Sequence, residues 1–113
     1  MKGNYSEAIK LYSRAIELDG SRAMFYFGRA FTYNKMRSFE QVIEDCQRAI
    51  EIDTRHSMSY NLLGDAYSNL QHYQEAIENF KKAQELEPSN ELYKINLQSA
   101  EKALAIELKF LVL

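Results

Sequence analysis

The sequence predicts an all-α protein, a solenoid of stacked helical hairpins. Three observations predict it. Bulky and small side chains recur with a period of 34 across residues 3–88 without insertion. Within each period, apolar residues fall at i, i+3, i+4 and i+7, the spacing of a helix with one buried face. Turn formers are scarce: 4 Gly and 1 Pro in 113 residues are too few for a strand-rich fold.

The clearest period is 57–88. In its first helix, near 57–70, Tyr60, Leu63, Gly64 and Tyr67 form one stripe. In its second, near 73–86, Ala76, Phe80 and Ala83 do the same, and Pro88 stops the helix. Gly64 and Ala83 leave room for a neighbouring helix, and the rings fill the space beside them. One period earlier, Tyr26, Tyr33, Met36, Phe39 and Ala49 occupy the matching places in the repeat 23–54, with helices near 23–36 and 39–52. One period earlier again, Tyr5, Ala8, Tyr12 and Ala15 match, but residues 1–20 hold only a second helix, from Tyr5 to about Asp19. Gly3 and Asn4 read as its turn, with Asn4 and Glu7 as a capping box. Ser38 with Gln41 and His72 with Glu75 hold the equivalent places. After Pro88, Ser89 or Asn90 starts a capping helix over 90–108, apolar at Leu92, Ile95, Leu97, Ala100 and Leu104. A solenoid needs such a helix to cover its last open face. Lys94, Gln98, Glu101 and Lys102 give it a wet outer side, and an apolar tail occupies 109–113.

Composition excludes several functions. A hydrophobic content of 46% and a charged content of 27% describe a chain that folds. A net charge of −2 with scattered Lys and Arg argues against nucleic acid. No run reaches the roughly 18 apolar residues of a membrane helix, so no membrane insertion is expected. The opening MKGNYSEAIK has no signal-peptide core, and Cys46 has no partner for a disulfide. A cytoplasmic setting fits. Cys46 stands where Tyr12 and Phe80 stand in the other repeats and reads as a small core residue. His56 and His72 lie in turns without further ligands at metal spacing, so neither metal nor cofactor is expected. Asp45 beside Cys46 lacks a His partner, and no phosphate loop occurs, so no catalytic residues are expected. The acids Glu17, Asp19, Glu51, Asp53, Glu85 and Glu87 recur at the ends of second helices and read as solvated surface.

The skeleton Tyr60-x2-Leu63-Gly64-x2-Tyr67, Ala76-x3-Phe80, Ala83 and Pro88 resembles the tetratricopeptide repeat. YxxAIxxYxRAIELD, IEDCxRAIEID and NELYKINLQSAEKAL resemble its co-chaperone type, in particular the small glutamine-rich group. The resemblance implies a right-handed superhelix whose first helices line a concave groove for a partner peptide, with no chemistry in the repeat itself. It also implies a carboxylate clamp for the acidic C-terminal tails of Hsp70 and Hsp90. That clamp needs Lys and Asn in the first helix of repeat one, which is absent here. It needs Asn at the sixth place of repeat two, which is Gly28, and Lys and Arg in repeat three, which are Met58 and Leu62. No clamp group is present. Arg29, one place along, should point away from the groove.

With Tyr26 and Tyr60 facing their own hairpins, Met24, Phe27, Gly28, Phe31 and Lys35 should face the groove from repeat two. Met58, Asn61, Leu62, Asp65 and Asn69 should do so from repeat three, and Leu92, Ile95 and Asn96 from the end helix. This is an apolar trough with a few amides and one charge of each sign. The expected function is a protein–protein adaptor or scaffold, not an enzyme, that captures an apolar or amphipathic peptide in this trough. Two alternatives stand beside it. One is a co-chaperone module for acidic tails. The other is a self-assembling structural element, a homo-oligomer through the chain ends: Tyr5, Ile9 and Tyr12 at one end, Leu104, Phe110 and Leu111 at the other.

Overall fold

The computed structural model describes residues 3–112 and contains six helices. They are α1 (Gly3–Leu18), α2 (Ala23–Lys35), α3 (Phe39–Ile52), α4 (Ser57–Asn69), α5 (Tyr73–Leu86) and α6 (Glu91–Val112). Among the described residues there is no strand. The chain is an all-α solenoid, 52 × 30 × 21 Å.

Each helix packs on the next in the chain, and α2 also touches α4, and α4 touches α6. The other alternate set, α1, α3 and α5, makes no such contacts with one another. The first helices of the hairpins therefore converge and the second helices splay. That inequality curves the stack and puts α2, α4 and α6 on its hollow side.

The apolar periodicity becomes two buried clusters. Ala30, Phe39, Val42, Cys46, Leu62, Leu63 and Ala66 join α2, α3 and α4. Ala76, Ile77, Phe80, Leu97 and Ala100 join α5 and α6. Tyr67 packs against both and ties them together. Cys46 is fully buried, and burial pushes its thiol well above the ordinary range.

Glycines set the closest approaches. A Cβ on Gly64 would lie 2.7 Å from the Phe80 ring, so α4 and α5 meet there with no side chain between backbone and ring. A Cβ on Gly28 would lie 2.4 Å from the Tyr12 ring of α1. Gly28 thus faces α1 rather than the open groove, which corrects its sequence-based placement.

The two hairpin turns share one geometry. Ser38 N–H donates to Tyr33 C=O at 2.9 Å, and His72 N–H to Tyr67 C=O at 2.8 Å. Arg37 and Gln71 hold the left-handed conformation these closures need, with φ of 60° and 64°. Neither is glycine, so sequence gave no sign of it. Other caps differ from expectation. Gly3 and Asn4 lie inside α1, so they form no turn and Asn4 is no N-cap. Ser38 and His72 make no capping bond. Asn90 does cap α6, accepting from Leu92 N–H at 3.0 Å and Tyr93 N–H at 3.3 Å.

A polar link holds the first three helices. Arg29 donates through Nε and Nη2 to the two Asp45 carboxylate oxygens, each at 2.8 Å, and through Nη1 to Ser13 Oγ at 3.0 Å. Asp45 is buried and the guanidinium half-covered. Such a pair fixes arrangement more than it adds stability, because both charges lost water to form it. Several recurrent acids also have a structural job. Asp19 accepts from Ser21 N–H at 3.1 Å and Arg22 Nε at 3.0 Å, and Asp53 accepts from Arg55 N–H at 3.0 Å. Glu87 accepts from Ser57 Oγ. These bonds shape the turns between repeats, so the recurrence is more than surface polarity.

The two glycines should respond differently to a methyl group. Phe80 is 3% exposed, whereas Tyr12 is half-buried. Gly64→Ala should cost about 1–3 kcal/mol by overpacking. Gly28→Ala should also destabilise, but by less, because the methyl group meets the tip of the more exposed ring. Urea unfolding of both variants checks the order.

Candidate peptide-binding site

Two hollows open along the inner helices. The first, about 280 Å³, is lined by Phe27 and Phe31 of α2, Met58, Asn61 and Leu62 of α4, and Asn90, Leu92 and Tyr93 at the head of α6. Its walls are apolar and wet: Phe31 is 46% exposed, Met58 43% and Leu92 56%. Its floor is dry, with Leu62 and Tyr93 both buried. The Phe27 and Phe31 rings tilt together at 6.1 Å between centroids. His56 meets Phe27 edge-on at 5.2 Å and props it from behind. Lys35 Nζ sits 4.9 Å from the Phe31 centroid, a cation–π contact that extends the wall.

The second hollow, about 230 Å³, lies between α4, α5 and α6. Asp65, Ser68, Tyr73, Asn96 and Ser99 give it polar groups, and Phe80, Ala100 and Ala103 complete it. Asn96 Nδ2 donates to Asn61 Oδ1 at 2.9 Å. Asn61 lines the first hollow and Asn96 the second, so this amide bridge stands between them. Burial raises the Asp65 carboxyl above the usual aspartate range, opposed by a hydrogen bond from Asn34 and the charge of Arg37. None of the ion pairs among the described residues includes Asp65. Asn34 Oδ1 is buried without a hydrogen-bond partner.

The structure thus gathers Phe27, Phe31, Met58, Asn61 and Leu62 in one hollow and Asp65 with Asn96 in the next. Met24 and Ile95 are exposed but line neither hollow. Asn69 is exposed and donates to the Asp65 carbonyl at 2.8 Å, so its amide is occupied. Leu62 contributes the floor rather than a wall. Sequence reasoning did not assign Tyr93, Ser68, Tyr73 or Ser99 to the groove. For Tyr93 a signal existed: it stands one period after the fully buried Ser59, at a place that packs inward. Arg29 points away from the groove, toward Asp45 and Ser13.

The chain ends differ from expectation. Tyr5, Ile9 and Tyr12 are half-buried, because α2 already covers part of them. The large apolar residues α1 exposes are Leu11 and Leu18. Leu104 packs against the α5–α6 cluster and is not free. The tail expected after 108 is a continuation of α6 to Val112, with Phe110 74% and Leu111 75% exposed; Leu113 lies outside the described residues.

No helix among the described residues is long and apolar enough to cross a membrane, and no group of possible metal ligands occurs among them.

Converging first helices around a hollow wall define a helical-hairpin repeat module. The chain belongs to the tetratricopeptide-repeat family. A model described as tetratricopeptide repeat matches residues 57–90, and one described as TPR repeat matches residues 1–36. The chain is 39% identical over 104 residues to a small glutamine-rich tetratricopeptide repeat-containing protein of Dictyostelium discoideum, covering 92% of this chain and 31% of that protein. It is 64% identical over 101 residues to the human beta form, covering 89% of this chain and 33% of that protein. The chain therefore spans about a third of these relatives' length. Among solved structures, it is similar to the second TPR domain of human RPAP3 in complex with the Hsp70 peptide SGPTIEEVD. The match has a TM-score of 0.84 and 32% identity, covering 88% of this chain and 83% of that one.

The raised Asp65 carboxyl carries a stability signature. An acid whose pKa rises on folding favours the folded state while protonated, and that benefit is lost as pH climbs through the folded value. At neutral pH the charge therefore costs stability. Asp65→Asn should raise the melting temperature at pH 7, and the gain should vanish below the ordinary aspartate pKa of about 3.9. Paired thermal melts across pH check this.

Proposed function

We propose that the chain is a protein-interaction adaptor whose concave groove takes the apolar face of an amphipathic partner segment. The observation that carries it is the first hollow: Phe31, Met58 and Leu92 keep apolar surface in water around a dry floor. Exposed apolar surface on a folded protein marks an interaction site when it lines a concavity. Met58 suits this role because an unbranched thioether adapts to different side chains. Asn61 and Asn90 supply polar groups at the edge for register.

An acidic tail fits less well. The RPAP3 domain holds a peptide ending in Glu-Glu-Val-Asp. A terminal carboxylate needs charge-assisted donors at fixed places. The clamp places in this chain hold Gly28, Met58 and Leu62, and the Gly28 place is filled by Tyr12. Lys35 is the cation beside the first hollow, and it lies over Phe31.

A labelled amphipathic peptide with Leu at i and i+4 should bind in fluorescence anisotropy. Phe31→Ala and Met58→Ala should each weaken it roughly tenfold, about 1.4 kcal/mol, without moving the unfolding midpoint. Tighter capture of an acidic C-terminal peptide than of the amphipathic one would sink this reading.

A second reading has its own observation. The last two turns of α6 expose Ile106, Leu108, Phe110, Leu111 and Val112, with only Glu107 and Lys109 between them. A helix apolar nearly all round needs cover. Pairing of these ends between two copies supplies it. The molar mass from light scattering should rise with concentration, and Phe110→Glu with Leu111→Lys should return it to one chain's mass.

A further inference from the structure

We infer that the second hollow receives the Lys or Arg side chain of the same segment whose apolar face fills the first. This rests on the groove reading above and adds the charge of the partner to it. The hollow's polar lining is a ring of acceptors. Asp65 supplies a carboxylate, Ser68, Tyr73 and Ser99 supply hydroxyls, and Asn96 a side-chain amide. Each accepts an N–H.

Asp65 is the one charged group in that lining, and no ion pair neutralises it. Beside it, half-buried Asn34 lowers the Asp65 carboxyl against the effect of burial and keeps its own buried Oδ1 unpartnered. Arg37 acts on Asp65 through its charge but forms no ion pair with it; its guanidinium lies over the Phe39 ring, 5.1 Å away. A half-buried carboxylate outside any ion pair, in the lining of a cavity, is complementary to an incoming cation and repels an incoming anion. The size agrees: 230 Å³ equals about seven water volumes, enough for an ammonium or guanidinium with its last methylenes.

The placement sets the partner's spacing. The Asn61–Asn96 bridge separates the hollows, so one segment running along α4 meets the apolar hollow near Met58 and the acidic one near Asp65. Its recognition pattern is an apolar anchor with a basic residue within a turn or two of it, before or after according to the direction in which the segment runs. This is opposite in charge to the acidic peptide held by the RPAP3 domain.

The test is a set of labelled amphipathic peptides, identical except for one Lys moved through the third to the seventh place on either side of a Leu anchor. Norleucine and Glu versions serve as controls, and binding is read by anisotropy at low and high salt. One Lys position should bind at least fivefold tighter than its norleucine counterpart, and Glu there should bind weaker than either. Asp65→Asn should erase the Lys preference, so that the Lys and norleucine peptides bind alike. Ser99→Asp, on the exposed rim, should increase it. Equal binding of Lys and norleucine at every place overturns the cation subsite and leaves the groove standing. A Lys preference that survives Asp65→Asn overturns the role of Asp65. Failure of every peptide to bind overturns the groove reading itself.

Discussion

Everything in this molecule follows from rings laid on helix backbone where a side chain is missing. Phe80 lies across Gly64 inside one hairpin, and Tyr12 lies across Gly28 between two repeats. These contacts bring neighbouring helices together without a layer of side chains between them. They fix rotation as well as distance, because a ring fits only over the bare face. Once α4 is rotated so that Gly64 meets Phe80, its other side is committed. Met58, Asn61 and Asp65 then look inward, and Tyr67 is left to bind both core clusters.

The groove is the complement of that packing. The inner helices touch one another and the outer ones do not, so the stack curves with its inner wall on the hollow side. Leu62 and Tyr93 seal the floor, which leaves the shallower Phe31, Met58 and Leu92 as the contact surface. The Arg29–Asp45 pair works on the opposite side of the same helices. It draws a large positive charge away from the hollow, so the groove keeps little cationic character despite 14 Lys and Arg in the chain.

The period and the small-and-bulky alternation were legible from residues alone, because helix packing writes itself into spacing. So were the inward places of Phe27, Phe31 and Met58, which differ from the core stripe by a fixed rotation. Gly28 was misplaced because its role is set by Tyr12, a residue sixteen positions away whose ring direction no local pattern reveals. Tyr12, expected at a self-associating end, packs against Gly28 of α2, a contact that pairing by repeat overlooks. The extension of α6 to Val112 was missed for another reason. An apolar run without alternation looks like a tail, although Ala105 to Val112 contains no residue that stops a helix. The acceptor ring around Asp65 draws on three helices, and its members become neighbours only after folding.

Arg37 and Gln71 close both hairpins in a conformation that costs a side-chain-bearing residue about 1 kcal/mol relative to glycine. The two corners sit outside both hollows. At the Gln71 corner rigidity and recognition are therefore set by separate residues, whereas Arg37 also acts on Asp65 through its charge, so the reserve of robustness that can be drawn upon without altering what the groove selects lies at Gln71.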